Sequence, residues 1–171
     1  MARVNRGRYT ADPGERDEIV LFLIGMRINR LWQFWRWLPV FVAMPRMLIE
    51  LQRDPSLGLV GRPRNFASGR TLMVLQYWNS FEQLERYARD AEHLHAPAWR
   101  SFNRRLRDNG SVGIFHETYR VPVSAIETIY GNMPPFGLGT VGTPVKPEAR
   151  RQTAATRLGV RADDEAPVEP Y

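Results

Sequence analysis

The sequence predicts an α+β fold in the order strand, helix, strand, strand, helix, strand. Three observations predict it. Residues 19–28 form a short run that is apolar on both faces, as a central strand is. Residues 71–78 form a second such run. Each is followed by a stretch with helical spacing, Phe41, Met44, Leu48, Leu51 after the first and Phe81, Leu84, Tyr87, Ala88 after the second. The βαββαβ order is the ferredoxin-like plan.

Taken in order, residues 1–17 are polar, with Asp12-Pro13-Gly14-Glu15, and read as a flexible arm. The run at 19–28 is too short to span a membrane. A helix is expected from Leu31 to Leu51, with Asn29 as a cap and with Pro39 and Pro45 kinking or restarting it. Its arginines and tryptophans also allow an interfacial membrane helix; a cover for the sheet is the plainer use. Residues 57–64 read as a weaker strand, with Pro63 marking an edge or an end, and residues 65–69 as a hairpin-like loop. After Trp78, Ser80 can cap a helix and form a capping box with Gln83. His93 and His95 fall in a connector, because Pro97 suits a first helical position. A second helix carries Trp99, Phe102 and Leu106 and ends at Asn109-Gly110. Residues 112–121 alternate as a strand, with Val112, Ile114, His116 and Thr118 on one face and Phe115, Glu117 and Tyr119 on the other. Residues 124–130 could add a short strand. From residue 140 the apolar periodicity is lost, and a disordered tail is expected to 171. The domain is thus expected over 18–139.

A βαββαβ sheet has helices on one face only. Strands apolar on both faces need a second cover, and two copies packed face to face supply it. A homodimer follows, with the reaction space enclosed between the copies.

The 171 residues suffice for one core, and the absence of cysteine excludes disulfides, thiolate metal sites and a cysteine nucleophile. The N-terminus lacks a signal-peptide pattern, so the expected location is cytoplasmic. The net charge is +6, almost all of it from arginine, but the arginines are scattered and no nucleic-acid motif accompanies them. No nucleic-acid partner is expected, and a basic pocket for an anionic or enolic ligand uses the charge as well.

The chain resembles antibiotic-biosynthesis-type monooxygenases at Tyr77-Trp78-Asn79-Ser80-Phe81-Glu82-Gln83-Leu84-Glu85 with His95 downstream. It is most similar to a monooxygenase-like branch, at Gly25-Met26-Arg27-Ile28-Asn29, Trp37-Leu38-Pro39, His116-Glu117-Thr118-Tyr119 and Tyr130-Gly131-Asn132-Met133-Pro134-Pro135. The resemblance implies a dimeric α+β barrel and a cofactor-independent oxygenation of a small aromatic, enolic or polyketide-like substrate by dioxygen, a reaction of secondary metabolism. A base, a dry pocket and oxyanion donors are what such chemistry needs. Other branches bind haem through a histidine, so a haem enzyme with His95 or His116 as ligand is the alternative, and a non-enzymatic ligand-binding dimer is a third reading.

His95 is the first candidate base, although a connector histidine can simply face solvent. His116 is second: chemical if its face looks into the barrel, and a hydrogen-bonded core residue if it faces the helices. His93 is expected to be solvated. The histidines do not have a zinc spacing. Trp32, Trp37, Trp78, Trp99 and Phe102 can wall a pocket for a flat molecule or be ordinary core. Arg27 sits in an apolar strand, where it needs a partner such as Glu117 or an anionic ligand. Gln76 and Asn103 are candidate donors, and Tyr130 and Asn132 candidate closing residues.

Overall fold

The computed structural model describes residues 3–94, 100, 102, 110–147 and 153–160. Its strands are β1 (Asn5–Asp12), β2 (Glu18–Ile28), β3 (Leu59–Ser68), β4 (Thr71–Trp78), β5 (Val112–Pro122), β6 (Tyr130–Met133) and β7 (Thr143–Val145). Among the described residues, the α-helices with both ends described are α1 (Phe34–Arg53), α2 (Phe81–Arg89) and the single turn α3 (Ala154–Arg157). The chain divides into two compact units. One is residues 20–120, and the other joins the described residues up to Ile19 to those from Val121 onward.

The first unit is the expected ferredoxin-like sheet. Its order is β3-β4-β2-β5, which places the first and third strands of the βαββαβ plan at the centre. β2 and β4 are antiparallel, and their register sets Val20 opposite Trp78, Phe22 opposite Gln76, Ile24 opposite Val74 and Met26 opposite Leu72. Directly opposed residues share a face, so these eight lie on one side. That side carries the core. Val20, Phe22, Leu59 and Trp78 pack against Leu51 of α1 and Leu84 and Tyr87 of α2. A second cluster joins Met26, Ile28 and Val112 to Trp37 and Val40 of α1 and to Phe102. The opposite face carries Leu21, Leu23, Met73, Leu75, Tyr77 and Phe115, all only half-buried, with Phe66 and Tyr119 exposed.

Local chemistry explains where the elements depart from expectation. The two prolines do not break α1, which runs unbroken from Phe34 to Arg53. Both prolines are exposed and lie along the cavity wall, and each removes the helical donor to the carbonyl four residues back, those of Trp35 and Phe41. The helix starts three residues later than expected, and Asn29 does not cap it but donates its side-chain amide to the Gly110 carbonyl at 3.1 Å. β3 continues through the supposed loop to Ser68 and turns at Gly69-Arg70, where Gly69 has φ 56°. Pro63 falls in the register shift between Val60 and Arg64, on an edge strand, where its missing donor costs little. Ser80 caps α2 by accepting from the Gln83 amide at 3.3 Å, while Gln83 Oε1 is buried without a hydrogen-bond partner, so the reciprocal half of the box is not made through that oxygen.

The second unit corrects the reading of both ends. The expected N-terminal arm contains β1, which pairs antiparallel with β6 and β7. Tyr9 stacks on Tyr130 with ring centroids 4.9 Å apart, and Thr10 bonds Thr128 across 2.9 Å. The expected tail contributes β7 and the α3 turn, whose Arg157 is held by Glu127 through the guanidinium Nε at 2.7 Å. The short strand expected within 124–130 begins instead at Tyr130.

Candidate active site

The alternation of β5 decides the site. Ile114, His116 and Thr118 face the helices, and Phe115 crosses to the other side over Gly25, where a β-carbon would lie 2.5 Å from the Phe115 ring. Between the sheet and the helices lies a cavity of about 840 Å³, within the range of small-molecule pockets. Phe22, Ile24, Met26, Leu72 and Val74 floor it, with Ile114, His116 and Thr118 from β5. Met44, Met47 and Leu48 of α1 and Phe81, Leu84 and Ala88 of α2 roof it. The cavity is lined by residues of one chain and lies on the helix side of the sheet, so His116 stands on the side where the sequence reading makes it a hydrogen-bonded core residue.

Few polar groups reach this apolar space. Arg36, Asn65, Glu85, Arg89, His116 and Thr118 are on its wall. Arg89 and Glu85 pair at 2.8 Å at the rim, where both are well exposed, so the pair contributes little to stability. The Arg36 guanidinium makes no hydrogen bond or ion pair among the described residues. His116 also has no hydrogen-bond partner there, and its ring lies 5.9 Å from that of Phe22. An imidazole in that condition keeps both nitrogens available, one as acceptor and one as donor. Among the described residues no group of three or more His, Asp or Glu could hold a metal ion.

A second polar cluster stands beside the cavity. Glu50 accepts the Tyr87 hydroxyl at 2.8 Å and the Leu94 amide at 3.2 Å, and His93 Nδ1 lies 3.3 Å from its other oxygen. His93 Nε2 is 3.7 Å from Asp90, and its ring lies 5.4 Å from that of Tyr87. His93 is therefore not the solvated residue expected. Burial pushes the Tyr87 phenol well above the usual tyrosine range, and the bond to Glu50 adds to this.

The remaining expected residues separate clearly. Phe102 lines the cavity. Gln76 and Trp78 are buried, and the Trp78 indole donates to Gln76 Oε1 at 3.0 Å, so both serve the core. Trp37 packs on Met26 and Val112 outside the lining and donates to the Leu31 carbonyl at 3.0 Å. Trp32 is 68% exposed ahead of α1. Arg27 lies on the face away from the cavity, exposed, with Thr71 at 3.4 Å, while Glu117 accepts from Tyr119 instead. Tyr130 and Asn132 belong to the other unit, where Tyr130 accepts the Gly139 amide at 3.0 Å and Asn132, at φ 50°, accepts the Gly7 amide at 2.9 Å. His95, Trp99 and Asn103 lie outside the described residues. The sequence reading passed over Arg36. Its signal was an arginine on the same helical face as Val40, Ala43 and Met47.

Comparison with known proteins places the chain in a family. Monooxygenase af470 of Aspergillus fumigatus is 29% identical over 164 residues, covering 81% of this chain and 55% of its own length. The chain thus spans about half of that relative. An aldoxime dehydratase solved with butyraldoxime has a similar fold over 77% of this chain and 40% of its own, with a TM-score of 0.50 at 14% identity. SnoaB, a cofactor-independent oxygenase from Streptomyces nogalater, aligns over 60% of this chain and 91% of its own, with a TM-score of 0.42 at 11% identity. A family model described as Monooxygenase af470-like matches residues 19–138, and the chain belongs to that family.

Proposed function

We propose that this chain oxygenates a flat, apolar molecule bearing an acidic enol or phenol, held in the cavity between sheet and helices. The observation that carries the reading is the His116 imidazole, without a hydrogen-bond partner among the described residues, on the wall of an otherwise largely apolar cavity of about 840 Å³. His116 takes the substrate proton, and the electron-rich anion reduces dioxygen and combines with it as a hydroperoxide. Loss of water from that carbon leaves a carbonyl, so one oxygen atom stays in the product and the other leaves as water. The substrate supplies all four electrons. The apolar walls keep water from competing for the anion. Arg36 supplies a fixed positive charge toward the anion, and Thr118, two residues along the same face, supplies a hydroxyl donor. His95 is retained as the second candidate base and Asn103 as a further donor. Neither flavin nor metal is needed for this sequence.

The name of the af470 relative supports an oxygenase, and family membership supports carrying that chemistry to this chain. We further propose that the working form is a homodimer. The half-buried Leu21, Leu23, Met73 and Leu75 on the sheet face away from the helices support it.

The test is oxygen uptake with product mass across a panel of polycyclic phenols and enols, on protein whose absorption spectrum is recorded first. His116→Ala is expected to lower kcat at least a hundredfold, about the contribution of one general base. A Soret band lost in His116→Ala would instead support the haem reading, in which His116 would be the residue that holds the group. Tight ligand binding with no oxygen consumed would leave a binding protein.

A further inference from the structure

The outer side of α1 is an apolar surface, not a polar one. Phe34, Trp35, Leu38, Phe41 and Ile49 are 57%, 58%, 43%, 44% and 48% exposed, and Trp32 just ahead of the helix is 68% exposed. Phe34, Leu38, Phe41, Pro45 and Ile49 recur at three- and four-residue spacing, so they form one stripe about 22 Å long. Side chains of this kind on a free surface mark an interaction site.

The segment that carries the stripe is basic. Residues 30–49 hold no Asp or Glu, but they hold Arg30, Arg36 and Arg46, of which Arg36 lies on the cavity wall. Arg30 and Arg46 are exposed, and their side chains have no partner among the described residues. Exposed indoles beside unpaired arginines fit the headgroup level of an anionic bilayer. Among the described residues no helix is long and apolar enough to cross a membrane, so a helix lying in the surface is the relevant geometry.

The cavity decides between a membrane and a protein partner. Phe41 and Pro45 belong to the stripe, are exposed and also line the cavity, so its mouth opens beside the stripe. A protein seated there would close that entrance. A bilayer would instead feed it, because an apolar substrate partitions into lipid.

We propose that the Trp32 loop and the outer face of α1 seat this protein on an anionic membrane surface, with the cavity mouth turned toward the lipid. The delivery role rests on the oxygenase reading; the seating does not. Co-flotation of the full chain with vesicles tests it without substrate. The chain should float with vesicles of phosphatidylcholine mixed with phosphatidylglycerol, more weakly with phosphatidylcholine alone, and less as salt rises. Phe34→Ser/Trp35→Ser/Leu38→Ser should cut the bound fraction about tenfold or more. Arg30→Glu/Arg46→Glu changes only exposed, unpartnered positions. It should lose the preference for anionic vesicles while keeping the wild-type melting temperature. Wild-type protein that stays unbound with both vesicle types overturns the proposal. So does an oligomer, seen by light scattering, that Trp35→Ser dissociates, since a second copy would then cover the stripe. Oxygen uptake with a detergent-dispersed phenol reads the cavity separately, so a failure of seating and a failure of the oxygenase reading are distinguishable.

Discussion

The Tyr87 hydroxyl on α2 donates to the Glu50 carboxylate on α1 across 2.8 Å. This bond joins the two helices that roof the cavity, at the end where Trp78 and Tyr87 pack with ring centroids 5.8 Å apart. The same carboxylate holds the Leu94 amide, so it also fixes the chain that leaves α2.

Tyr87→Phe should therefore lower stability by about 1.5–3 kcal/mol, the usual loss for a hydrogen bond to a charged group. The pH dependence has a definite sign. The folded-state phenol is shifted upward, by burial first and Glu50 second, so its contribution is complete below the unfolded value near 10. It is lost as pH rises beyond that, because only the unfolded chain can then release the proton. Urea denaturation from pH 7 to pH 11 should show wild-type stability falling above about pH 10, with a shallower fall in Tyr87→Phe. Equal slopes in the two proteins would refute the assignment.

Gly25 is required by the crossing of β5. A β-carbon there would clash with the Leu72 carbonyl oxygen and would lie 2.5 Å from Cζ of Phe115. The ring can swing away, but the carbonyl belongs to the neighbouring strand and cannot. Gly25→Ala should cost about 2 kcal/mol or more. Adding Phe115→Leu should restore only part of the loss, as read by thermal melting. Full restoration would mean that the ring alone is responsible.

The elements of the sheet were legible because their signal is local. Residues 71–78 show a strand by composition and a Ser-capped helix directly after it, and the structure has both. The phase of β5 was legible too, since alternation alone puts His116 with Ile114 and Thr118. What the sequence hid depends on distant partners. β1 is a strand because Arg8 meets Gly131 and Thr10 meets Val145, pairings that no local pattern records. His93 was read as solvated because Glu50, 43 residues away, is its partner. The cavity was hidden for a different reason. Periodicity shows which side chains of α1 and α2 point inward, but not that their summed volume leaves a void.

Arg36 gives a prediction that separates binding from turnover. Its guanidinium lies on the cavity wall without a partner among the described residues, so Arg36→Met removes no intramolecular bond and should leave the melting temperature within a few degrees of wild type. Affinity for an anionic enol or phenolate should fall about tenfold, while a neutral ligand of the same shape should bind as before. Competition binding with such a pair measures both. Equal losses for the two ligands would mean that the arginine shapes the wall and does not read charge.

His116 is the sharpest test of the site. It is exposed on an edge strand, and its nearest ring contact is the 5.9 Å approach to Phe22. Its replacement therefore creates no buried cavity and leaves no partner unpaired, and His116→Ala should melt within a few degrees of wild type. If His116 is the base, turnover should nevertheless collapse, because the proton acceptor would be gone while the apolar walls remain. The expected signature is a large fall in kcat with KM changed little, the pattern of an interaction made only in the transition state. His95→Ala, assayed beside it, decides between the two histidines. If it abolishes turnover while His116→Ala does not, the base lies in the connector after α2, and the His116 imidazole is only part of the cavity wall.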